Sequence, residues 1–470
     1  MIKDNITINT DSEFSLDFYH LARAFYPVEN VSVTHKQLLN ENKLSLNFEV
    51  EDIIKTSFYE VVKTFISTEN NSQEKQIKRF LKQALYKAFE AHTGKTLPWG
   101  CLTGIHPTYV ARELIADGVD ISIVKEVLQK EFFLNEKKAE LVYQTLKNQR
   151  TIIKNDHLVN LYINIPICPS RCSYCSFISS EISACGKILP DYLNALIEEI
   201  KATKKLIFDK ALVVRTIYIG GGTPSVLTAQ QLDLLLQELS YPVSEFTVEC
   251  GRADTITEEK LLVLKKHGVT RICINPQTFV LKTLKKIGRT HTNQDVFNAY
   301  MLALKHNFVV NMDFIAGLED ETLSNFKKTI NTALELSPTN ITVHTLSLKN
   351  NSNLQGEFSL LKESGEVRQM IDYAYDKLTE NGYKPYYLYR QKNQVEALEN
   401  VGYAMDGKVC MFNIDTMEET LSVLACGAGA ISKRVGGKKE KTERFQNPKF
   451  LKDYIANLNN VIEGKNKLFN

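Results

Sequence analysis

The chain has no run of apolar residues approaching the roughly 20 needed to cross a bilayer. Its longest candidates, such as ALVVRTIYIGG, are broken by Arg215 and carry the β-branching of strands. It has no excess of charge of either sign: 57 basic and 55 acidic side chains leave +2, which offers no bulk attraction to nucleic acid or to an anionic membrane. No secretory leader is visible, because acids fall where its apolar core would lie in MIKDNITINTDSEFSL. Cysteine is sparse and odd in number, nine in 470 residues. That excludes a disulfide framework and fits a reducing, cytoplasmic setting. No internal repeat or low-complexity tract is present. What is there, 43% hydrophobic and 24% charged residues, suffices for a sizeable core. The length suits two or three domains, or one barrel with additions.

Three regions read differently. Residues 1–150 form an N-terminal α+β accessory region. Short apolar runs such as KLSLNFEV precede a helical stretch, QEKQIKRFLKQALYKAFEAH, with Ile77, Phe80, Leu81, Leu85 and Phe89 as its apolar positions. The tract LPWGCLTGIHPT reads as a loop, and further helical segments run to Gln149. Residues 151–350 alternate six β-branched runs with amphipathic helices: VNLYINI, VVRTIYIG, EFTVEC, VTRICIN, NFVVNMDFIAG and NITVHTLSL. Thr228 with Gln231 makes a capping box and Thr257 caps TEEKLLVLKKHG. Six strand–helix units in order imply a parallel sheet with right-handed crossovers, a partial (β/α)6 barrel of α/β class. Residues 351–470, a C-terminal substrate-covering region, hold a helix over 366–380, the tract YKPYYLYRQ and a KKEKTER run that reads as a solvated turn.

In such barrels chemistry sits at the C-terminal ends of the strands, and the unusual residues fall there. The first strand ends in IPICPSRCSYCSF, with Cys168, Cys172 and Cys175 spaced C-x3-C-x2-C. Thiolates suit iron–sulfur clusters, zinc or copper. A structural zinc site takes four protein ligands, usually as two pairs; only three cysteines are grouped, and Cys185 looks incidental. Three thiolates on a four-iron cluster leave one iron open for a small molecule, while zinc and an ordinary cluster stay open as alternatives. The second strand ends in Gly220-Gly221-Gly222-Thr223, where missing side chains let a ligand approach or simply make a tight turn. Glu249, Gln277 and Asp313 end the next three strands. One such residue is usually a cap; three in succession read as a ring facing one ligand. Arg289 could pair with a carboxylate. Tyr386, Tyr387, Tyr389, Arg390 and Lys392 offer flat rings and cations that could meet a substrate, or form an ordinary edge strand.

The loop CPSRCSYC and the tract YIGGGTP resemble the radical S-adenosylmethionine (SAM) superfamily. LYINIPIC, VECGRADTIT, ICINPQT, IGRTHT, NMDFIAGL and LYRQKN resemble, more narrowly, the oxygen-independent coproporphyrinogen III dehydrogenase family. Its HemZ-type branch has an extra N-terminal region ending in an LPWG-like loop. The resemblance implies a [4Fe-4S] cluster on Cys168, Cys172 and Cys175 that reductively cleaves S-adenosyl-L-methionine to a 5′-deoxyadenosyl radical. It implies Tyr162 packing near cluster and cofactor, and Gly221, Gly222 and Thr223 meeting the methionyl amine. Glu249, Gln277, Arg289 and Asp313 would hold the carboxylate and ribose. It implies oxidative decarboxylation of two propionates of a tetrapyrrole to vinyl groups in heme biosynthesis, with electrons from a low-potential donor such as flavodoxin or ferredoxin. No nucleic-acid or membrane partner is implied. Two departures stand out. The family's fourth motif cysteine is Phe177 here, and its histidine is Asn164; relatives lacking that cysteine include a heme-binding chaperone.

Anaerobically reconstituted protein is expected to hold about four irons per chain, lost on changing Cys168, Cys172 or Cys175 to Ala. Stoichiometric zinc without iron absorption contradicts this.

Overall fold

A computed structural model gives the fold. It describes residues 6–10, 15–26, 31–35, 43–50, 57–62, 73–104, 106–149, 152–175, 179–347, 365–391, 395–436 and 442–470. Phe177 and Lys392 lie outside these residues, as does most of the KKEKTER run. The chain divides into two units, Met1–Lys147 with Glu396–Leu398, and Asn148–Val395 with Glu399–Asn470.

In the first unit β1 (Ile6–Thr10), β2 (Val31–His35), β3 (Lys43–Val50) and β4 (Ser57–Val62) form a sheet in the order β2-β1-β3-β4. The helix Gln73–Thr93 buries Leu81, Leu85, Tyr86 and Phe89. Phe80, expected on that stripe, is 50% exposed: positions 81, 85 and 89 recur every four residues, and 80 lies one residue off them. The LPWG loop is anchored inside its unit, with Trp99 buried and the Cys101 N–H donating to the Phe132 carbonyl at 2.9 Å.

The second unit is built on one long sheet. Its strands are β5 (Leu158–Ile165), β8 (Val213–Gly221), β9 (Glu245–Glu249), β10 (Arg271–Cys273), β11 (Val309–Ala316) and β12 (Asn340–Thr345), neighbours in that order and parallel throughout. The six expected strand–helix units are therefore present as a (β/α)6 partial barrel. Two short strands, β6 (Ile167–Cys168) and β7 (Ser180–Glu181), pair separately beside the cysteine loop. The crossover helices begin as their caps dictate. Thr228 and Gln231 form the reciprocal capping box before Ala229–Leu236, and Thr257 accepts from the Lys260 N–H before Glu258–Lys266.

The C-terminal region does not stand apart as a third body: it extends the same sheet at both edges. β13 (Lys384–Tyr389) and β14 (Asn400–Ala404) add antiparallel strands beyond β12, while β15 (Ser422–Cys426) lies parallel to β5 and leads to β16 (Ile431–Arg434) and β17 (Glu443–Gln446). Glu443 and Arg444, at the end of the expected charged turn, thus lie in a strand. No helix among the described residues is long and apolar enough to cross a membrane.

The helix Met411–Met417 packs on one face of the sheet. Phe412 and Ile414 pack with Tyr218, Tyr386 and Tyr387. Glu245, at the start of β9, accepts the N–H groups of Met411 and Phe412 at 2.9 and 3.0 Å, using donors that a helix N-terminus leaves unpaired. Arg271 lies 3.6 Å from this carboxylate and donates to Asn340 Oδ1 and to the carbonyls of Lys408 and Val409. Removing one member of a buried pair leaves an uncompensated charge. Arg271→Ala is expected to lower stability by about 3–5 kcal/mol, read as a fall in the denaturation midpoint; an unchanged midpoint refutes this role.

Candidate functional site

The parallel strands end in a cavity of about 370 Å³, within the size range of small-molecule sites. Its wall takes Gly221 from β8, Glu249 from β9, Asn275 and Gln277 from just beyond β10, Asn311 and Asp313 from β11, and Thr342 and His344 from β12. Side chains two apart on a strand share a face. Asn311, Asp313 and Ile315 therefore turn inward, while Val310, Met312 and Phe314 are fully buried on the other side.

Cys168, Cys172 and Cys175 line the same cavity, and all nine cysteines are free thiols. Their loop is tied to the strand ends. The Gly222 and Thr223 N–H groups donate to the carbonyls of Ile165 and Ile167, both at 2.8 Å, and the Ser173 N–H donates to Ile287 O at 3.2 Å. Ser170 accepts from Arg252 at 2.9 Å and donates to Gly288 O at 3.1 Å. Burial raises the Cys168 thiol pKa, against the lowering effect of the Thr223 hydroxyl, which lies 3.7 Å from its sulfur. No trio of His, Cys, Asp or Glu among the described residues is gathered as it would be around a single ion. A four-iron cubane instead takes each thiolate on its own iron.

The glycine tract has a different cause from the expected open space. A Cβ on Gly221, whose φ is +108°, would collide with Asn164 Oδ1, and one on Gly222 with the backbone of Ile167. On Gly220 it would come within 3.0 Å of the Glu249 carboxylate and the Tyr218 ring. These residues are glycine because β8, β5 and the root of the cysteine loop touch there. A bulky side chain at 221 would disturb that junction before it met any ligand.

Burial, with the Asp313 carboxylate nearby, pushes the Glu249 carboxyl up to about 7; the Tyr218 hydroxyl, donating at 2.6 Å, acts the other way. Gln277 holds a left-handed φ of +69°, backbone strain of the kind that gathers at ligand sites. The cavity residues Asn275, Gln277 and Asn311 each carry a buried amide oxygen without a hydrogen-bond partner, and Arg289 an unpartnered Nε. Such atoms call for a polar occupant. A zwitterionic, ribose-bearing cofactor, with ammonium and hydroxyl donors for the amide oxygens and a carboxylate acceptor for Nε, fits this set.

Three expected residues are placed otherwise. Arg289 lines the cavity, but Nη1 donates to the Gly251 and Asn275 carbonyls and Nη2 to the Tyr174 hydroxyl; it braces the cysteine loop. Tyr162 is not in the cavity wall. It stands behind Tyr218, stacked at 6.1 Å and against Phe412 at 5.9 Å, with its hydroxyl donating to Asn164. Tyr387, Tyr389 and Gln391 line the cavity, so strand alternation turns Arg390 to the other face, toward Glu399. The sequence reading missed Tyr174, Asn275, Asn311 and His344. Asn311 and Asp313 share the strand period, a signal that was available; nothing local marks Tyr174 as Arg289's partner.

Glu249 predicts a pH signature. The folded state holds its proton more tightly than the unfolded chain, so the contribution is full below about 4.5 and lost as pH rises toward 7. In cofactor-free protein, Glu249→Gln is expected to gain in Tm relative to wild type across that window, by a few degrees. Parallel Tm–pH curves contradict it.

Residues 162–333 match the radical SAM superfamily. The oxygen-independent coproporphyrinogen-III oxidase-like protein HemZ of Bacillus subtilis is 37% identical over 418 residues, 86% of this chain and 83% of that protein. The heme chaperone HemW of Lactococcus lactis is 35% identical over 48% of this chain and 60% of that protein. Among solved structures, the Escherichia coli coproporphyrinogen III oxidase HemN, described as a radical SAM enzyme, shares the fold at a TM-score of 0.54 and 21% identity, covering 65% of this chain and 70% of that one. With the cysteine loop, the strand-end ring and the parallel half-barrel in one place, the chain belongs to the radical SAM superfamily, in its HemZ/HemN-like branch, which works with a [4Fe-4S] cluster and S-adenosyl-L-methionine.

Proposed function

We propose that this chain is an oxygen-independent coproporphyrinogen III dehydrogenase, converting two propionate arms to vinyl groups to give protoporphyrinogen IX. The observation that carries the reading is the single cavity that joins the three-cysteine loop to a second half walled by Tyr387 and Tyr389. Those rings lie nearly parallel, 10° apart with centroids at 6.3 Å, an apolar face with polar tips suited to pyrrole rings.

In this reading Cys168, Cys172 and Cys175 hold the cluster. Thr223 and the Gly221–Gly222 backbone, with Glu249, Gln277 and Asp313, hold the methionyl and ribose parts of the cofactor. When bound, cluster and cofactor together supply a carbon radical able to take hydrogen from an unactivated C–H bond. Arg289 fixes the loop through Tyr174. Glu249, able to carry a proton near neutral pH, presents either a donor or an acceptor to the cofactor. Tyr218, stacked 4.5 Å from Phe412, sets the position of Glu249. Each arm loses one hydrogen atom, CO2 and one electron, the last to a one-electron acceptor. A low-potential flavodoxin or ferredoxin would supply the reducing electron, in a reducing compartment such as the cytoplasm.

The similarity to HemW heme chaperones supports a second reading, heme binding without oxidation. An anaerobic assay of reconstituted protein with coproporphyrinogen III, following 5′-deoxyadenosine and protoporphyrinogen IX together, decides. Both products appearing in a fixed ratio are expected. Tight heme binding with no protoporphyrinogen gives the second reading.

A further inference from the structure

The two halves of the cavity differ in charge. Its lining arginines, Arg171, Arg252 and Arg289, all stand at the cysteine-loop end. Arg252 is engaged there with Asp254, Ser170 and Thr290, and Arg289 with backbone carbonyls and Tyr174. The far half, walled by the ends of β12, β13 and β14 with the helix Met411–Met417, has no lysine or arginine among its described lining residues. Among the described lining residues of that half, the side chain able to become a cation is His344. A substrate whose reacting arm ends in a carboxylate must still be received there, next to the cofactor.

His344 is built into a chain of contacts. Its Nε2 lies 3.6 Å from Asp313 Oδ2, and its Nδ1 lies 3.4 Å from the Tyr389 hydroxyl. Asp313 is itself held by Asn311, which donates to Oδ1 at 2.8 Å. Both side chains keep contact with the cavity space, at 27% exposure for His344 and 20% for Asp313. The carboxylate at Nε2 orients the ring. Nδ1 and the phenol O–H then stand side by side at the cavity, and they act as two donors when the ring carries both its protons. The 3.4 Å between them is too long for a strong hydrogen bond, so an arriving acceptor gains more from the pair than it disrupts.

We infer that His344, oriented by Asp313 and paired with the Tyr389 hydroxyl, is the receptor for a carboxylate on the substrate's aliphatic arm. This rests on the proposed tetrapyrrole reading and names the group that meets the substrate. Asp313 thereby touches both ligands, cofactor on one side and, through His344, substrate on the other.

The test compares binding of coproporphyrin III, a stable fluorescent probe, with that of its tetramethyl ester, in wild type and His344→Gln. Iron content and thermal midpoint serve as checks that the variant is folded. Wild type is expected to prefer the free acid. His344→Gln is expected to lose about tenfold or more for the acid, the scale of one hydrogen bond to a charged group, and little for the ester. Equal losses for acid and ester, or no loss, overturn the assignment of His344 while leaving the tetrapyrrole reading intact. If wild type binds heme but not coproporphyrin III, the dehydrogenase reading falls, and heme against heme dimethyl ester decides His344 by the same criterion. If no tetrapyrrole binds, both fall.

Discussion

The cavity stands on a buried ion pair. Glu245 and Arg271 sit on adjacent parallel strands at the end of the barrel opposite the cysteines, where charges are expensive to bury unless every donor and acceptor is engaged. Both groups are engaged, mainly with one segment, although Arg271 Nε has no partner. The carboxylate takes the first N–H groups of the helix Met411–Met417, and the guanidinium takes the carbonyls of Lys408 and Val409. A helix of seven residues has little stability of its own. Its place against the sheet is therefore set by this pair.

From there the constraint runs upward by contact. The helix presents Phe412, whose ring lies 4.5 Å from that of Tyr218 and nearly parallel to it. Tyr218 turns its hydroxyl to Glu249. Asn413 and Met417 of the same helix reach the cavity itself. Glu249 is thus positioned from beneath, through aromatic packing, as well as by its own strand. That leaves the strand ends free to turn unpaired amide oxygens toward a ligand.

Much of this was legible because it is local. The six barrel strands and their helices follow from short-range periodicity, and the Thr228–Gln231 and Thr257 caps from spacing of three residues. The ring of Glu249, Gln277 and Asp313 follows from one rule about strand ends, and the cysteine loop from its spacing. What was misplaced depends on contacts distant in sequence. Arg390 and Tyr389 cannot be told apart until the pairing of β13 with β14 shows which alternate residues face inward. The glycines looked like ligand space because Asn164 and Ile167, which fill that space, lie more than fifty residues earlier. Arg289 looked free because its partners, Gly251, Asn275 and Tyr174, belong to three other segments. The joining of the C-terminal strands to both edges of the sheet leaves no local trace.

That last feature bears on how the protein is made. β5 opens the half-barrel, yet one of its two neighbours is β15, with Val159 beside Ser422, 263 residues further on. At about 5–20 residues per second of synthesis, that edge waits on the order of 13–50 s for its partner. Nor can the junction be completed early. The fully buried Glu199, on the helix that follows the cysteine loop, finds its partners in the Gly427 N–H, Asn447, Tyr454 and Lys465. Until residues 422–465 leave the ribosome, the strand that leads into the cysteine loop has an open edge and the helix behind it an unpartnered Glu199.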